Sequence, residues 1–122
     1  MVAGSKPGRG LSPDDMYWTS IPSKNTMPEF IYLIHPFREG FFEQPTAEEE
    51  KAMSDHFEYL KKATAAGTVL LAGPCLDETF GIVILRAENE AAAQAFMLDD
   101  PSVKANVMMA ELHPMRISLQ GK

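Results

Sequence analysis

The chain has 122 residues, of which 11 are Lys or Arg and 17 are Asp or Glu, so its net charge is −6. This length suits one domain of about 100–150 residues, and the acidic balance argues against nucleic-acid binding, which needs clustered cations. The apolar runs are too short to cross a membrane, and the single Cys excludes an internal disulfide. We therefore expect a cytoplasmic protein that binds neither nucleic acid nor membranes.

Residues 1–28 differ in composition from the rest of the chain. The first ten residues are rich in Gly and Pro and have no apolar periodicity, which is typical of a flexible extension. The aromatic segment Met16–Trp18 is either disordered or docks on the domain or on a partner subunit. We expect the folded domain to span residues 29–122.

The first predicted elements are a strand and a long helix. Phe30–His35 is aromatic and β-branched, as strands are. A helix is predicted over residues 46–66, because Thr46 and Glu49 have the spacing of a capping box and Gly67 suits the position after a helix end.

The remaining predicted elements, in chain order, are strand Thr68–Gly73, strand Phe80–Ala87, helix Glu90–Leu98 and strand Val107–Leu119, which Pro114 is expected to interrupt or bend. The βαββαβ order is that of the ferredoxin-like α+β fold. Its antiparallel sheet carries both helices on one face. Because the opposite face is also apolar, we expect a homodimer that packs sheet against sheet.

His56 is the first candidate for chemistry. At 100° per residue, it lies on the same helical stripe as Met53 and Leu60 and faces the sheet. Imidazole is suited to proton transfer near neutral pH. The same position also suits a core His that is hydrogen-bonded to a backbone carbonyl, and the spacing leaves both interpretations open.

Asp100 is the second candidate, in the sequence Asp99-Asp100-Pro101 at the end of the second helix. Its carboxylate can cap the turn that begins at Pro101. It can also accept a hydrogen bond from an imidazole and fix its tautomer. One carboxylate has enough lone pairs for both roles.

Other residues are candidates for substrate binding. Arg38 lies in an aromatic loop and is either a solvated charge or a ligand for a carboxylate. His113, in the last strand, is a second candidate for the anionic end of a substrate, and Phe37, Phe41 and Phe42 are candidates for an apolar wall. Cys75 has no base beside it in sequence and is expected to be inert. The three His residues lack metal-ligand spacing, so we expect no metal.

Several short segments together resemble one known family. They are His56–Leu60, Gly67, Leu71–Pro74, Gly81-Ile82 and Asp99–Pro101. In these segments the chain resembles the YCII-related (YciI-like) family from Phe30 to about Ser118. The resemblance implies a dimeric α+β barrel assembly that is related to muconolactone isomerase. It also implies an active-site His–Asp pair, which corresponds here to His56 and Asp100.

Two functions are expected from these residues. The first is a cofactor-independent lyase or isomerase that acts on a small cyclic or aromatic carbonyl compound, with His56 transferring a proton and Asp100 orienting its ring. A few relatives that the resemblance includes are dehydrochlorinases of chlorinated hydroxyquinones. The alternative is a non-catalytic dimeric module that binds a small molecule or a protein.

Overall fold

The computed structural model describes residues 27–121. In chain order their elements are β1 (Glu29–Pro36), α1 (Ala47–Ala65), β2 (Val69–Pro74), β3 (Gly81–Arg86), α2 (Glu90–Leu98), α3 (Pro101–Lys104) and β4 (Met108–Met115). The expectations for the N-terminal extension and for Met16–Trp18 lie outside the described residues. None of the helices in the described range has the length and apolar character needed to cross a membrane.

The strands form one antiparallel sheet in the order β2-β3-β1-β4. The two sequential strands β2 and β3 are neighbours joined by a hairpin, whereas β1 lies between β3 and β4. The predicted ferredoxin-like α+β fold is therefore confirmed.

The core lies between one face of the sheet and the helices. Alternate side chains of β1, from Phe30, Tyr32 and Ile34, are buried there and belong to the same cluster as Leu60 of α1 and Met97 of α2. The intervening residues of β1 point to the opposite face, because successive side chains of a strand alternate. Tyr32 is thus directed toward the helices.

Helix α1 begins and ends as its sequence predicts. Thr46 is the N-cap, its hydroxyl accepts from the Glu49 amide at 3.0 Å, and the Glu49 carboxylate accepts from the Thr46 amide at 2.9 Å. Gly67 follows the C-cap with φ of +85°, a conformation that glycine adopts without steric cost. Between these ends, the buried residues Ala52 and Leu60 fix which face of α1 packs on the sheet and hence the direction of His56.

The last strand is shorter than expected. It ends at Met115 rather than Leu119, and its register stops where Met115 pairs with Glu29, the first residue of β1. Pro114 does not interrupt it. Since β4 lies at the edge of the sheet, the missing amide of Pro114 need not break the strand.

Candidate active site

His56 and Asp100 meet where α1 passes the turn between α2 and α3. The imidazole Nδ1 lies 2.8 Å from Asp100 Oδ1 and 2.9 Å from Oδ2. The His56 side chain is 12% exposed and the Asp100 side chain is fully buried. The pair therefore forms as the sequence predicted, with a carboxylate rather than a backbone carbonyl holding the ring.

Asp100 is also the N-cap of α3, so it fills both roles that its sequence allowed. Its carboxylate accepts from the Ser102 amide at 2.9 Å, from the Ser102 hydroxyl at 2.8 Å and from the Tyr32 hydroxyl at 2.7 Å. The three contacts come from α3 and β1, while His56 comes from α1. The carboxylate is thus fixed by elements that are distant in sequence.

The electrostatics of the pair favour an ionised Asp100. Burial by itself would raise the pKa of this carboxyl, but the hydrogen bond and charge of His56 and the hydroxyls of Tyr32 and Ser102 lower the pKa below its ordinary value. For Tyr32, burial and the neighbouring carboxylate raise the pKa of the phenol, so it stays a donor.

An ionised Asp100 determines which His56 nitrogen carries the proton. A carboxylate only accepts, so the neutral ring donates from Nδ1 and leaves Nε2 as the basic nitrogen. Nε2 has no hydrogen-bond partner among the described residues, and the ring borders an open cleft. The arrangement can take a proton from a molecule in the cleft and hold the resulting imidazolium against Asp100.

The cleft has a volume of about 870 Å³ and lies between α1, the hairpin strands β2 and β3, and the aromatic loop after β1. Its surface is mostly apolar, with aromatic contributions from Phe41, Phe42, Phe57 and Phe80. Such a volume and lining are typical of small-molecule sites. Phe41 and Phe42 lie where an apolar wall was expected.

Three other predicted binding residues do not line this cleft. Phe37 is exposed, and His113 pairs with Glu111 on β4. The Arg38 guanidinium donates to Glu49 Oε1 and Oε2 at 2.8 Å each and to the carbonyl of Gln44. Arg38 therefore ties its loop to the start of α1. Its role in substrate binding, like those of His113 and Phe37, stays a prediction that this geometry does not support.

The structure also brings in residues that were not singled out from the sequence. Tyr32 and Ser102 hold Asp100, and Ser102 Oγ lies 3.2 Å from His56 Nδ1. Lys61 lines the cleft, as does Cys75, which the sequence analysis considered only as an inert thiol. Helical spacing places Lys61 within two turns of His56, which is the signal that could have identified it. Nothing local marks Tyr32, which is 68 positions from Asp100.

The described part of the chain has no group of three or more His, Cys, Asp or Glu side chains placed to hold a metal ion. The site is thus described by one imidazole, one carboxylate and two hydroxyls beside an apolar cleft.

Comparison with known proteins agrees with this architecture. The model of the YCII-related domain family matches residues 30–115, and the search of curated proteins found no match. The match covers most of the chain, including every described strand and helix except the first residue of β1. The chain belongs to the YCII-related domain family.

Proposed function

We propose that this protein is a cofactor-independent lyase or isomerase for a small cyclic or aromatic carbonyl compound. The observation that carries the proposal is the hydrogen bond from His56 Nδ1 to the buried Asp100 carboxylate at the edge of an apolar cleft. An imidazole sealed in apolar packing would have favoured a binding module instead.

The proposed reaction begins with proton transfer to His56. Nε2 takes a proton from a carbon next to the substrate carbonyl, and the C–H electron pair becomes an enolate. Asp100 stabilises the imidazolium that forms. The imidazolium then returns the proton to another carbon, which is isomerisation. Alternatively, a leaving group such as chloride departs with its electron pair and the imidazolium releases its proton to water, which is elimination.

The cleft lining supports this substrate class. Aromatic and aliphatic side chains exclude water around a ring, and in such surroundings the interaction between Asp100 and an imidazolium is stronger than in water. Few polar groups are available for a highly polar substrate such as a sugar. A flat, largely apolar molecule therefore fits best.

The test is turnover of candidate compounds by the full chain. Small cyclic ketones, enol lactones and chlorinated hydroxyquinones are incubated in D₂O, with deuterium incorporation followed by NMR and chloride release by an ion-selective electrode. For any compound that reacts, we expect His56→Gln to lower the rate by about 10²–10⁴-fold. His35→Gln, which changes an exposed His outside the cleft, should keep the parental rate.

Folding of the variants is checked separately by circular dichroism. Asp100→Asn is the second variant, because Asn preserves the cap of α3 while its amide no longer acts as a carboxylate. Parental turnover in a folded His56→Gln protein would refute the proposed mechanism. Saturable binding of these compounds without any turnover would favour the binding module.

A further inference from the structure

The cleft contains an unpaired cation. Lys61 lies on α1 and lines the cleft, and it makes no ion pair with a described residue. By contrast, Lys51 pairs with Asp55 at 2.9 Å and Lys104 pairs with Asp99 at 3.3 Å. Lys61 is thus an exposed side chain of the cleft lining whose charge no described carboxylate neutralises through an ion pair.

Lys61 belongs to the stripe of α1 that faces the cleft. Phe57, Leu60, Lys61 and Thr64 follow the i, i+3, i+4, i+7 spacing of one helix face, and all four line the cleft. His56 lines it beside Phe57. Lys61 is five residues from His56, and a helix rises 1.5 Å per residue, so their backbones are about 7.5 Å apart along the axis. The two side chains leave the helix in different directions, but both line the same cleft, so one ligand there can lie near both.

One acidic side chain limits how much negative charge the cleft accepts. Glu78 lines the cleft from the tip of the β2–β3 hairpin, where its backbone has φ of +68°. It forms no salt bridge with Lys61. A second anionic group on a ligand would have no second lysine or arginine in the cleft lining and would be repelled by Glu78.

We infer that the cleft selects small cyclic or aromatic monoanions, with the ring against the apolar walls beside His56 and the carboxylate or phenolate at Lys61. The inference rests on the proposed function, because it assigns the substrate class of the same cleft. It gives to Lys61 the anchoring role that sequence analysis assigned to Arg38 or His113.

The experiment compares three probes of similar ring size: benzoate, the dianion phthalate and the neutral benzyl alcohol. Binding to the full chain is measured by amide chemical-shift titration. We expect benzoate to bind more tightly than the other two. Because an exposed ion pair contributes about 0.2–1 kcal/mol, Lys61→Gln should weaken benzoate binding by up to about fivefold and leave benzyl alcohol unchanged.

Lys62→Gln is the matched control. It removes the same charge at the next position of α1, but Lys62 lies outside the cleft lining. The location of binding is tested with Cys75, the only Cys of the chain, which lines the cleft. Benzoate should slow the reaction of Cys75 with the neutral reagent 4,4′-dithiodipyridine.

Four results would overturn the inference: no saturable benzoate binding, tighter binding of phthalate, equal losses in Lys61→Gln and Lys62→Gln, or unprotected Cys75. The proposed function is tested by a different measurement, the turnover of the His56→Gln variant. If His56→Gln retained turnover while the Lys61 result held, the mechanism would be wrong and the ligand class would stand.

Discussion

Asp100 receives hydrogen bonds from three different elements, and these bonds keep it ionised although its side chain is buried. The Tyr32 hydroxyl, at 2.7 Å, is the donor farthest from it in sequence. Hydrogen bonds to the charged form favour that form and lower the pKa of the acid. Tyr32 is thus a positioning residue for the pair rather than a group that meets substrate.

Tyr32→Phe should raise the pKa of Asp100. The variant removes one donor to the carboxylate, so the ionised form loses about 1.5–3 kcal/mol of stabilisation. The measurement is an NMR titration of the Asp100 carboxyl carbon. Tyr59→Phe is the matched control, since its hydroxyl donates to the Phe96 carbonyl and not to Asp100.

On acidification, Tyr32→Phe should also unfold at a higher pH than the parent protein. The pKa of Asp100 is lower in the folded than in the unfolded protein, so this residue stabilises the fold above its unfolded pKa of 3.8 and loses that contribution as the pH falls through the folded pKa. A smaller pKa difference in Tyr32→Phe means less stability near neutral pH. An acid-unfolding midpoint equal to that of Tyr59→Phe would contradict this account.

The start of α1 is tied to the preceding loop by one ion pair. The carboxylate of Glu49 accepts from Arg38 and from the Thr46 amide, so a single side chain completes the capping box and holds the loop. The hydrogen bonds from Arg38 and Thr46 lower the pKa of Glu49 to about 2. The loop that carries Phe41 and Phe42 to the cleft is held there by this pair.

Arg38→Ala should return the pKa of Glu49 toward its ordinary value of 4.5. In the parent, the contribution of Glu49 to stability is present above pH 4.5 and is lost between there and about pH 2. In Arg38→Ala the pKa shift of Glu49 is smaller, so acidification removes less stability through this residue. The pKa is measured by NMR titration of the Glu49 side chain.

Lys51→Ala is the control for charge, because Lys51 lies on the same helix and pairs with Asp55 in an exposed position. It should leave the Glu49 titration unchanged. If the pKa of Glu49 in Arg38→Ala equalled that in the parent, the hydrogen bonds of the capping box alone would keep the carboxylate ionised.

Elements of this protein are predictable from sequence where their signals are local. The box of Thr46 and Glu49 gives the start of α1, Gly67 gives its end, and the helical phase between them gives the direction of His56. Asp100 is recognisable as a cap because Pro101 follows it. These local signals assign each residue to its element, whereas the pairing of His56 with Asp100 was expected from the resemblance to the YCII-related family.

The rest of the site depends on tertiary packing. Tyr32 meets Asp100 only because β1 is a central strand whose alternate residues face the helices. Arg38 was an open candidate for anion binding until the fold placed Glu49 beside it. The end of β4 likewise depends on where its partner β1 begins, so its own sequence could not give it.

At the scale of the whole molecule, the second face of the sheet is the main feature that the described helices leave uncovered. Ile31 and Leu33 of β1 lie on this face, directly opposite Ile84 and Ile82 of β3. Met109, on β4, is 45% exposed there. We propose that a second copy of the chain covers this face, because two such sheets can pack about 10 Å apart and bury their apolar side chains.

Sedimentation velocity should then give a mass of twice the 13.5 kDa of one chain. Leu33→Glu places a charge in the middle of the face and should yield monomers, because burying an unpaired carboxylate is costly. Met109→Glu is a second variant at a more exposed site, where the monomer fold tolerates a charge. Leu76→Glu, at the exposed tip of the hairpin, is the control and should remain dimeric. A monomeric parent, or a dimer that persists in both sheet variants, would place any association on another surface.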